Sequence, residues 1–215
     1  IGEPLRVAEH YHADATFLAM GIPAGLLHRN RPDVGVRLNV DIGLLMSRSL
    51  CEVTGLALTG YLASKLLSLD LQSNSVTRVQ CEQILNDAEE FCQKIETQFE
   101  NSAPDLWCNT IEFERGMLED TLKGLRERWG ISFEDLLSWI CQNASDRHKT
   151  EIPSPVRSYA LTLLPLCLVL VLREGLGFDS SLTTGLNMGK EADKTGVLIG
   201  VWAGAMYGWQ GIPES

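Results

Sequence analysis

Apolar residues recur along this chain at helical rather than strand spacing. In residues 75–99, Val76, Val79, Ile84, Ala88, Phe91, Cys92 and Ile95 recur largely at i, i+3 and i+4 separations with acids and amides between them, which leaves one face apolar and the other wet. The pattern predicts an amphipathic helix over Ser75–Phe99, capped by Ser75. Similar spacing predicts a helix over Thr110–Trp129, with Arg126 and Arg128 at its C-terminal end and Gly130 as its stop. Ser132, with Glu134 and Asp135 just behind it, opens a further helix to about Asn143.

The remaining apolar stretches carry fewer charges and read as buried. Residues 15–27 form one such helix, kinked or stopped near Pro23, and residues 28–35, "HRNRPDVG", read as a loop. Val36–Leu69 predicts one or two packed helices. Residues 146–158, "DRHKTEIPSPVRS", form a polar, proline-marked linker. Ala160–Leu172 is too short to cross a bilayer and suits a core helix.

The last stretch, Thr195–Pro213, is uncharged and places Gly196, Gly200, Gly204 and Gly208 four apart. Each glycine inside a helix costs about 1 kcal/mol relative to alanine. The expected compensation is a neighbouring helix backbone lying close against the glycine face, which would make this helix central. The stretch is poor in Leu and Ile and lacks a basic flank, so no membrane span is expected. No run alternates polar and apolar long enough to insist on a sheet, and 215 residues fit one all-α domain.

Charge narrows the partners. A formal net charge of -10 repels phosphate backbones and anionic lipid heads, so neither nucleic acid nor membrane is expected. Six cysteines without a C-x-x-C pair argue against zinc and thioredoxin-like chemistry and for buried free thiols in a reducing, cytoplasmic setting. His10 and His12, beside Glu9 and Asp14, read as solvated residues near a chain end. Arg29, Arg31, Arg126 and Arg128 are expected to face solvent, and no serine or cysteine sits in a triad setting.

One turn invites chemistry. In "GKEADKT", Glu191 and Asp193 stand two residues apart at a helix entrance, where a loop can turn both carboxylates toward a hard cation. First-turn acids also complement a helix N-terminus with no ligand at all. Both readings stay open on residue types alone.

The string "NMGKEADKTGVLIGVWAGAMYGWQGIP" resembles the C-terminal signature of the ADP-ribosylglycohydrolase family, N-x-G-G-D-x-D-T-x-x-x-x-x-G-A-x-A-G-A-x-x-G-x-x-x-I-P. Asn187, Gly189, Asp193, Gly200, Ala203, Gly204, Ala205, Gly208, Ile212 and Pro213 occupy matching places without a gap. The helix, polar turn and helix upstream are also similar to the family's, and "AMGIPAGLLHRN" looks like its M-R-x-x-P-x-G-L-L helix. The resemblance implies an all-α orthogonal helical bundle in which two magnesium ions serve cleavage of ADP-ribose glycosidic bonds. It implies Glu191 and Asp193 as metal ligands, and Asn187 and Gly189 beside the substrate.

The departures from the pattern are specific. The family's T-D-D string is absent, which implies an N-terminally truncated bundle; Glu191 replaces an aspartate, and Lys194 stands where the family has a ligand threonine. A lysine ammonium there implies pairing with Glu191 and Asp193 in place of a metal. Two functions follow from the resemblance. One is a module with lost or impaired hydrolysis, without a cofactor, that binds an ADP-ribose-type nucleotide or a protein partner, or self-associates through an apolar face. The other is a magnesium-dependent hydrolase completed by a segment or partner outside this chain.

Overall fold

The computed structural model describes residues 15–47, 49–69, 76–102, 115–173 and 177–212. Among them every regular element is helical, as the spacing predicts. A 3-10 turn over Ala15–Met20 runs into α1 (Gly21–Leu27), followed by α2 (Pro32–Met46) and α3 (Leu50–Leu67). Next come α4 (Arg78–Ser102), α5 (Met117–Glu127) and α6 (Phe133–His148). The chain then forms α7 (Ala160–Leu172), α8 (Phe178–Asn187), α9 (Ala192–Tyr207) and a 3-10 turn at Trp209–Gly211.

Several boundaries depart from the sequence reading for local reasons. Part of the expected loop at 28–35 is helical, because Pro32 opens α2, where its missing N–H costs nothing. Helix α4 begins behind Thr77. The Thr77 hydroxyl accepts from Gln80 N–H at 3.3 Å, and Gln80 Oε1 accepts from Thr77 N–H at 2.9 Å, a reciprocal cap; Ser75 lies outside the described residues. Helix α6 runs past Asn143 to His148 and ends at Lys149 in the left-handed conformation, φ 53°. The linker behind it is anchored, with Ile152 and Val156 buried.

Helix α7 is the core. All thirteen of its residues are buried, and it packs against α3, α5, α6, α8 and α9. A helix apolar all round has no face to offer water, so it must be enclosed. Helix α3 has the same character from Leu50 to Gly60.

Among the described glycines the closest approach to another helix backbone is not on the final helix. A Cβ at Gly25 would lie 2.1 Å from the Gly60 carbonyl oxygen, and a Cβ at Gly21 would lie 2.1 Å from that of Leu56. Helices α1 and α3 therefore touch along glycine. On α9, by contrast, a Cβ at Gly200 would meet nothing within 4 Å, and one at Gly204 only the Phe178 ring at 3.8 Å. Helix α9 buries the opposite side, Thr195, Leu198, Ile199, Trp202, Ala203 and Met206. Four-residue spacing aligns glycines on one face but says nothing about what lies against that face, so the expected backbone contact is corrected here.

Two smaller expectations also divide. Cys51, Cys81, Cys92 and Cys167 are buried free thiols and Cys141 is half-buried; Cys108 lies outside the described residues. Arg126 does not simply face solvent. Its Nε and Nη2 both donate to Glu89 Oε2, at 3.2 and 2.9 Å, joining α5 to α4.

Candidate functional site

The acidic turn lies between α8 and α9. Helix α8 ends at Asn187, which is exposed, and the chain reverses through Gly189 and Lys190, both left-handed at φ 77° and 47°. Glycine adopts this region freely, whereas a lysine pays about 1–2 kcal/mol for it. Gly189 is half-buried and faces open space. The reversal leaves Glu191 as the residue before α9 and puts Asp193 and Lys194 in its first turn.

The two carboxylates do not share a partner. Lys194 Nζ lies 2.5 Å from Glu191 Oε2, with both side chains partly buried, and it donates to Ser158 Oγ at 2.7 Å. Asp193 is exposed and lines a shallow hollow of about 160 Å³ with Thr16, Ala19, Leu163, Lys194 and Val197. The structure thus joins Lys194 to Glu191 and sets Asp193 on the adjacent wall. Among the described residues no three His, Cys, Asp or Glu side chains gather where they could hold a metal ion. His10, His12, Glu9 and Asp14 lie outside the described residues.

Ser158 is the residue that the sequence did not suggest. Its carbonyl accepts the Ala15 N–H at 2.9 Å while its hydroxyl receives the Lys194 ammonium. It sits in the polar segment before α7, and no local pattern couples it to residues 143 positions upstream or 36 downstream. Only the folded chain brings 15–19, 158 and 191–197 to one place.

No helix among the described residues is long and apolar enough to cross a membrane. The family model described as ADP-ribosylglycohydrolase matches residues 12–215. No curated protein and no solved structure matches the chain. The family match spans nearly all of the sequence, and the chain belongs to the ADP-ribosylglycohydrolase family.

Proposed function

We propose that this family member binds an ADP-ribose-type ligand at the α8–α9 turn without carrying out magnesium-dependent hydrolysis. The observation behind the reading is the Lys194 ammonium held between Glu191 and Ser158. A unit positive charge about 4 Å from a divalent cation costs on the order of 8 kcal/mol at an effective dielectric of 20. The residues present therefore do not fit a magnesium ion: one carboxylate is already engaged, and the position of the family's ligand threonine carries a cation.

What remains suits recognition. Asp193 is free of ion pairs among the described residues and can accept from ribose hydroxyls, while the paired Lys194 supplies a donor beside it. The hollow is smaller than the ~300 Å³ at which whole small-molecule sites begin, so it grips one end of such a ligand. Asn187 and Gly189 stand at the edge of the same turn.

The test is a thermal-unfolding titration with ADP-ribose in excess chelator, paired with an assay for ADP-ribose release from modified protein in magnesium. A ligand-dependent rise in melting temperature without release supports the proposal. Micromolar magnesium binding by calorimetry, or magnesium-dependent release, overturns the non-hydrolytic part. A flat melting curve overturns the binding part.

A further inference from the structure

A second and larger cavity lies away from the acidic turn, between the C-terminal end of α1, α2 and the second half of α3. Its volume is about 470 Å³, inside the ~300–1,000 Å³ range of small-molecule sites. Its charged lining residues are Arg29 and Lys65, and no acidic side chain lines it, in a chain whose formal net charge is -10. Lys65 is held by Asp87 at 2.6 Å, and that bond keeps its ammonium charged by raising its pKa above the ordinary lysine value. Arg29 is exposed and makes no ion pair among the described residues.

Asn39, another lining residue, carries a different signal. Asn39 is 1% exposed, donates from Nδ2 to the Gly21 carbonyl at 3.0 Å, and leaves Oδ1 buried without a hydrogen-bond partner. Buried acceptors are almost always satisfied. Tyr61, stacked on Phe91 at 4.4 Å between ring centroids, and Ser64 also line the cavity. Two cations, an aromatic side chain and a residue with an unused acceptor among the lining select a ligand with an anionic end and a donor-bearing body.

We propose that this cavity binds an organic phosphate monoester, with Arg29 and Lys65 taking the phosphate and Asn39 Oδ1 accepting an N–H or O–H from the body. Two cations lining one cavity match a dianion better than a monoanion, which favours phosphate over carboxylate. The site shares no lining residue with the α8–α9 turn, so it stands independently of the function proposed there.

The test uses AMP, adenosine and inorganic phosphate as probes in calorimetry, with hydrogen exchange to locate binding. AMP is expected to bind one to one, with adenosine and phosphate each weaker by about tenfold or more, the loss of one charge-assisted contact or of the body. Arg29→Gln, a surface change, is expected to weaken AMP about tenfold, with protection in the wild type falling on residues 60–68. Failure of AMP to bind, equal affinity for AMP and adenosine, AMP affinity unchanged in Arg29→Gln, or protection on residues 188–197 instead would each overturn the proposal.

Discussion

Glu52, buried in α3, accepts a hydrogen bond of 2.9 Å from the backbone N–H of Ala160, the first residue of α7. Helix α7 has no side-chain cap of its own at Tyr159, so a carboxylate 108 positions away serves its N-terminus.

Removing that carboxylate exposes its role. Glu52→Ala leaves an orphaned N–H and a void at the centre of the bundle, and should destabilise by about 2–4 kcal/mol. Glu52→Gln keeps an acceptor in place and should cost less than about 1.5 kcal/mol. Urea unfolding of the three proteins checks the order; equal losses for both variants would mean that the hydrogen bond is unimportant.

Glycine position decides glycine tolerance. Gly25→Ala drives a methyl group toward the Gly60 carbonyl, so α1 and α3 must separate at a cost of about 3 kcal/mol. Gly200→Ala meets open space and should gain about 0.5–1 kcal/mol from helix propensity. Melting temperatures moving in opposite directions are the expected result.

Lys190 carries backbone strain where the family signature has glycine. Its φ of 47° costs a non-glycine residue about 1–2 kcal/mol, partly offset by the greater entropy that glycine loses on folding. Lys190→Gly should therefore stabilise by about 0.5–1 kcal/mol. Chemical denaturation measures it, and a loss of stability would show that the lysine side chain makes a contribution larger than the strain.

Stability should fall as pH rises through neutrality because of Glu96. This side chain accepts the Gly116 N–H at 2.7 Å where α5 begins, and its pKa is raised from 4.5 to about 7. Burial is the main cause; the Gly116 hydrogen bond opposes it, Glu119 and Asp120 add to it, and Arg115 opposes it. The folded protein holds this proton more tightly than the unfolded chain, so its contribution is complete below about pH 4.5 and is lost as pH passes about 7. The full difference is on the order of 3 kcal/mol. Glu96→Gln keeps an acceptor for Gly116 and should flatten this part of the stability profile, making the variant the more stable protein at pH 8. Parallel urea melts at pH 5 and 8 decide it.

Much of this molecule could be read from local pattern. Helical periodicity identified α4, α5 and α6, and the uninterrupted apolar run at 160–172 marked α7 as core, because an element without a polar face has only one environment open to it. The signature around Asn187–Pro213 pointed to the family. The pairing of Lys194 that the family frame implied is met at Glu191, three residues away on one turn, and not at Asp193, which stays exposed.

Tertiary structure decided which surfaces meet. Glycines 196, 200 and 204 and glycines 21, 25 and 60 are alike as letters, yet only the second set touches another backbone. Nothing near Ser158, Glu52 or Asn39 announced that one would hold a lysine, another cap a distant helix and the third keep an acceptor unused. Periodicity fixes the direction in which a side chain leaves its own helix. What it meets depends on how far apart and in what order the other helices stack, and that is settled by the whole core packing at once.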